Sequence, residues 1–297
     1  MDTSKKNFAV SSLYDYSAIV DRPAFKWPNG ARVAVWVIPN IEHYHIESFQ
    51  PDGPDVRNFS RTDYGNRVGI WRLMEVLNKY EIRGTAALNG EVCLHYPRLV
   101  EEALKLKWEL MGHGLTNTQF LTKLSLDEER AVIQETRKHL ALFGQEMRGW
   151  LGPGLRETWN TLDLLNEAGV RYVADWVHDD QPVLMKNGMH TIPYSIEIND
   201  MPLFNTPSIS VADFERRIRD AFDVLYREGE ASGRVLAIAL HPHLIGAAHR
   251  ISYLDRALQY IASHEQVWFA TGSEIIDHYA SVNPVSRHEI RPSRPSA

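Results

Sequence analysis

Residues 32 to 40 read RVAVWVIPN. Val33 to Ile38 are apolar without a break, so an extended chain here has no polar side. That is the pattern of a strand covered on both faces, as in a parallel sheet with helices packed over it. The stretch then stops at a proline and an asparagine and runs into the polar sequence IEHYHIE.

Further along the chain, short apolar runs alternate with longer amphipathic segments. A polar loop rich in Gly, Pro and Asp is expected over 49–67, and a helix over 68–79 with Ile70, Leu73, Met74 and Leu77 on one face. A strand follows over 84–89. The same unit recurs as helices over 96–106, 126–142, 158–168, 211–229 and 252–263. Strands are expected over 108–113, 148–152, 170–176, 190–196, 234–243 and 266–271. This alternation predicts one α/β domain spanning 32–280, a parallel sheet whose seven or eight strands favour a closed or nearly closed barrel. Residues 1–31 are expected to form an N-terminal arm, and the Pro/Ser/Arg-rich stretch 281–297 a poorly ordered tail.

Composition excludes several classes of function. The chain has 297 residues, a net charge of −6 and no long run of Lys or Arg. It therefore has no electrostatic footprint for nucleic acid or an anionic membrane, and a neutral or cationic small molecule is the expected partner. Its single cysteine, Cys93, rules out an internal disulfide framework and is expected to be a small buried apolar residue. No apolar stretch is long enough to span a membrane, and the start lacks the apolar core of a signal peptide, so a cytoplasmic protein is expected. Gly-rich phosphate loops and a G-x-S-x-G elbow are absent from the sequence, which argues against nucleotide chemistry and a serine nucleophile.

In a barrel of parallel strands the site lies at the C-terminal strand ends. Those ends carry Asn40, Glu42, His43 and His45; Asn89 and Glu91; His113 and Asn117; Arg148, Trp150 and Arg156; Asp175, Asp179 and Asp180; and His241 and His243. Glu42, His113 and His241 are the candidate catalytic trio. A carboxylate near one imidazole can take a proton from water while a second imidazole protonates a leaving nitrogen or stabilises an oxyanion, which suits hydrolysis of an amide-like bond.

The segments TDYGNRVGIWRLMEVL, GWLGPGLRETWNTLDLLNEAGVRYVAD with the following DD, and LHPHLIGAAHR resemble the polysaccharide deacetylase (NodB-homology, carbohydrate esterase family 4) superfamily. The likeness runs from about Arg32 to Tyr279 and is nearest the branch of the metal-independent allantoinase and cyclic imide hydrolases. It implies a single-domain α/β fold, a deformed (β/α) barrel with about seven parallel strands, an aspartate base, and a second aspartate that binds a divalent metal with an H-x-x-x-H pair. Here those positions hold Asn40, Glu42, His113 and Asn117. An amide cannot act as a base, and Asn117 is a weaker ligand than imidazole.

The resemblance therefore favours metal-free hydrolysis of a non-peptide C–N bond in a small cyclic amide, imide or ureide. Glu42 would activate water, with His113 and His241 assisting. Asn40, Asn89, Asn117, Arg148 and Trp150 would contact substrate, Trp150 and Arg148 forming a pocket wall. If Zn²⁺ or another divalent ion is bound, its ligands would be Glu42 and His113 with His43, His45 or Asn117. A metal-dependent N-deacetylase of an N-acetylated sugar or amine, and a barrel that binds without turnover, are the competing readings. A homodimer or homotetramer is expected from the resemblance alone.

Overall fold

The computed structural model describes residues 12–48, 53–206 and 209–283. The first eleven residues of the expected arm and positions 284–297 of the expected tail lie outside the described residues.

The strand β1 (Val33–Ile41) organises the sheet. One edge pairs residue for residue, Val33 to Pro39, with the parallel strand β8 (Arg234–Leu240). Along the other edge, Val33–Val35 pair with β9 (Val267–Phe269), and Asn40 and Ile41 pair with β2 (Thr85–Leu88). From β2 the parallel sheet continues through β3 (Glu109–Gly112), β4 (Gly149–Trp150), β5 (Tyr172–Val173) and β7 (His190–Thr191). A parallel bridge from Asn199 to Ala239 brings the chain after β7 alongside β8, so the sheet curls into the expected barrel form.

The continuous apolar run of β1 resolves into two layers with a period of two. Val33, Val35 and Val37 join the outer core beneath the helices, while Ala34, Trp36 and Ile38 join an inner core with Ala87, Met111, Leu151 and Tyr172. The outer layer is closed by α2 (Ile70–Lys79), α4 (Pro97–Lys105), α5 (Leu126–Ala141), α6 (Thr161–Glu167), α8 (Val211–Glu228) and α9 (Ile251–Ala262). Short helices α3 (Val92–His95) and α7 (Asp200–Phe204) follow strand ends, and α10 (Gly272–Val282) is the last helix among the described residues. Part of the arm is integral to the fold: Trp27 is buried in the inner core, and its indole N–H donates to the Arg234 carbonyl at 2.8 Å.

Two expectations about local structure need correction. The polar stretch 49–67 contains a helix, α1 (Val56–Tyr64), capped by Asp55, whose Oδ1 accepts from the Asn58 N–H at 3.0 Å. A π-helical turn, Gly65–Gly69, joins it to α2. None of the residues of α1 is buried, so apolar periodicity could not announce it. The chain also forms β6 (Val183–Leu184), antiparallel to β7. No helix among the described residues is long and apolar enough to cross a membrane.

Candidate active site

Glu42 follows directly on β1, and its carboxylate is buried at the C-terminal rim of the sheet. Oε1 accepts from the Asn117 amide at 2.8 Å, and Oε2 accepts from the Tyr44 hydroxyl at 2.7 Å. Nε2 of His113, just beyond β3, and Nε2 of His241, just beyond β8, each lie 3.6 Å from Oε1. The three residues of the expected catalytic trio thus meet around one carboxylate oxygen. At 3.6 Å the imidazoles are too far for direct hydrogen bonds and leave that oxygen open to a third group.

Each imidazole is held from behind. Nδ1 of His113 donates to the Leu151 carbonyl at 2.5 Å, an acceptor that fixes the proton on Nδ1 and turns Nε2 to Glu42. Nδ1 of His241 donates to Asp200 Oδ1 at 2.7 Å. Asp200 is itself anchored, accepting from the backbone N–H groups of His241 and Ile245.

Burial opposes a charge on His241, but the carboxylates of Glu42 and Asp200 outweigh it and raise its pKa to about 10. Burial likewise works against ionised Glu42, yet the two histidines more than compensate and hold its carboxyl far below the usual range. The centre is therefore a carboxylate beside an imidazolium. Burial and the Glu42 charge push the Tyr44 phenol upward, so it stays a hydrogen-bond donor.

The Leu151 carbonyl rests on a second pair of acids. Gly152 N–H donates to Asp175 Oδ1 at 2.7 Å, and Trp176 Nε1 donates to Glu157 Oε1 at 3.1 Å. Burial, and then the neighbouring Asp175, push Glu157 up to about 9, while burial carries Asp175 to about 6. Glu157 accordingly keeps its proton at neutral pH.

The expected metal site can be tested on its donors. A divalent ion between Glu42, His113 and position 117 needs lone pairs from all three. Tyr44 spends its proton on Glu42, so toward Asn117 it can only accept; Asn117 Nδ2 donates to it at 2.6 Å as well as to Glu42. Asn117 thus presents N–H groups to the centre, and its Oδ1 is buried without a hydrogen-bond partner. These residues do not fit a divalent ion.

Nor do His43 and His45 supply the missing ligand beside Glu42. Their Nε2 atoms lie 3.6 Å and 2.7 Å from Glu91 Oε2, and the His43 ring stacks on His95. Among the described residues, His43, Glu91 and His95 form a set with ligand atoms within 4.8 Å of one another, and this set includes neither Glu42 nor His113.

Four expected substrate contacts also require correction. Asn40 is buried, and its amide donates to the Ile38 and Leu240 carbonyls, tying β1 to β8. Asn89 accepts from the His43 N–H at 2.8 Å and donates to the His113 carbonyl, so it aligns two strand ends. Arg148 precedes β4 rather than following it, at the N-terminal end of the strands, and pairs with Asp277 at 2.8 Å. Trp150 lies fully buried in the outer core, its indole nitrogen without a partner. In contrast, Asp200 was not anticipated. The signal was the polar end of HTIPYSIEIND, where Asn199 bridges β8 and hands the next residue to His241.

The curled, mostly parallel sheet matches the NodB-like (β/α) barrel fold, and its C-terminal rim carries a carboxylate and two imidazoles. Residues 60–173 match the family model for polysaccharide deacetylase. Among solved structures, PuuE allantoinase superposes with a TM-score of 0.81 at 28% identity, covering 89% of this chain and 96% of that one. A Schizosaccharomyces pombe protein bearing a polysaccharide deacetylase designation is 26% identical, over 87% of this chain and 93% of its own length. The peptidoglycan deacetylase of Helicobacter pylori is 22% identical, over 78% of this chain and 90% of its own.

Proposed function

We propose that this protein hydrolyses a C–N bond other than a peptide bond in a small cyclic amide, imide or ureide, with its own side chains moving the protons. The observation that carries this reading is Glu42 set between two imidazoles, each oriented through Nδ1, with Asn117 donating where a metal ligand would have to accept. Similarity to an allantoinase structure supports the ring substrate.

In this reading water attacks the ring carbonyl carbon and gives a proton to Glu42 Oε1. His241 delivers its Nε2 proton to the departing nitrogen as the C–N bond breaks. Glu42 is a weak base while His241 is charged; as the imidazolium gives up its proton, the carboxylate loses its counter-charge and becomes a stronger base. The proton on Glu42 then returns to His241, restoring both groups. His113, locked by Leu151, faces the same oxygen and orients the water. Such proton transfers contribute roughly 10²–10⁴-fold each to rate.

The test is turnover of hydantoin, succinimide and allantoin with and without a chelator, set against acetate release from N-acetylglucosamine. Ring opening that survives the chelator supports the proposal. Acetate release with no ring opening would favour the second reading, an N-deacetylase, for which the polysaccharide deacetylase match over residues 60–173 speaks.

A further inference from the structure

Beside the proposed reaction centre lies a pocket of about 400 Å³ whose charge is opposite to that of the whole chain. One wall is a face of α1, with Arg57, Arg61 and Tyr64; the other is the loop after β8, with His243, His249 and Arg250. No carboxylate lines it. A protein with a net charge of −6 has thus gathered three guanidinium groups and two imidazoles in one small cavity.

Among the described residues, none of Arg57, Arg61 and Arg250 forms an ion pair with a carboxylate. Arg250 lies over the Phe204 ring at 4.5 Å, and its Nε is buried with no hydrogen-bond partner. Burial and then the facing Arg61 lower its pKa, and the opposing pull of Asp200 does not restore it. His243 is held down to about 4, chiefly by burial; Glu42 pulls the other way, and His241, Arg61 and Arg250 add to the lowering, so its imidazole is neutral.

The two walls are fixed against each other. Gly65 and Gly69 of the π-helical turn lie against His243 and Pro242 so closely that a Cβ on either would collide with that loop's backbone. Arg72 pins Tyr64 at 2.6 Å and the Gly246 carbonyl at 2.9 Å, tying the helix to the loop. The DYGNRVG sequence is thus explained by a close approach that only glycine permits. The convergence of like charges is set by backbone packing, and an anion would relieve it.

His243 also gives the pocket its place. It is two residues from His241, with ring centroids 5.8 Å apart, so a group in the pocket sits next to the proposed acid. We propose that this pocket binds a carboxylate carried by the ring substrate, making the substrate class anionic cyclic amides rather than neutral ones. This rests on the ring-hydrolysis reading and adds the substituent that positions the ring. Arg61 and Arg250 bind the carboxylate, and His243 donates one further N–H.

The test uses Glu42→Gln protein, in which binding is read without turnover, titrated calorimetrically with hydantoin and hydantoin-5-acetate. The carboxylated ring is expected to bind at least tenfold more tightly. That preference should fall to near unity in E42Q carrying either Arg61→Ala or Arg250→Lys; Arg61 is exposed, so its loss does not endanger the fold. Equal affinities, no binding of either ring, or a preference unchanged in both arginine variants overturns the proposal. Arginine-dependent binding of hydantoin-5-acetate that wild-type enzyme never opens would leave the pocket standing while the ring-hydrolysis reading fails.

Discussion

Asp200 Oδ1 lies 2.7 Å from Nδ1 of His241, and the same carboxylate accepts the backbone N–H of His241. Glu42 and, next, this buried partner keep the imidazolium charged up to about pH 10. A raised histidine pKa stabilises the fold fully below the ordinary value of 6.5, and that contribution is lost as pH rises through about 10. The acid form of His241 disappears only at the upper end of that interval, near pH 10. In Asp200→Asn the alkaline limb of kcat/KM should therefore move down by about one pH unit or more. A pH–rate profile of both proteins checks this, and an unmoved limb would contradict the acid role.

Replacing Glu42 with Gln preserves shape but removes the proton acceptor. A fall in kcat of roughly 10²–10⁴-fold, with ring binding retained, is the expected outcome. Calorimetry alongside steady-state kinetics separates the two quantities; a variant with near-normal kcat would assign water activation elsewhere.

Asn117→His replaces an amide donor with an imidazole four residues after His113. Glu42, His113 and the new imidazole would then supply one carboxylate and two nitrogen ligands. After equilibration with zinc and dialysis, elemental analysis should find about one equivalent in the variant and far less in wild type. Equal zinc in the two proteins would show that Asn117 does not limit metal binding.

Glu157 makes a stability prediction. An acid with a raised folded pKa destabilises the fold as pH rises from its ordinary value of 4.5 to about 9, because the folded state resists ionisation. Glu157→Gln should remove that cost. The variant is expected to be more stable at pH 8 by on the order of 1–2 kcal/mol, with the advantage shrinking toward pH 5. Thermal melts across this range would show the trend, and a variant less stable at every pH would mean that the acid's proton geometry matters more than its charge.

The barrel was legible because β1 and β8 are near-continuous apolar runs and the helices repeat their apolar residues at helical spacing. The trio Glu42, His113 and His241 was legible for a related reason: each follows such a strand, where the chain must turn polar at the rim. What could not be read was the direction of a side chain. Asn40, Asn89 and Trp150 have the right residue types at strand ends, yet their polar atoms serve the backbone or lie in the core. Helix α1 was hidden because it buries nothing, and Asp200 because its partner is 41 residues away in sequence.

The central claim is that this chain's own carboxylate and imidazoles open a ring without a metal. The most direct measurement is the kcat of chelator-treated, metal-analysed enzyme on hydantoin-5-acetate and hydantoin, before and after zinc is added. Turnover that is unchanged by chelation and not increased by zinc is the predicted result. Turnover that vanishes on chelation and returns with one equivalent of zinc would contradict the account.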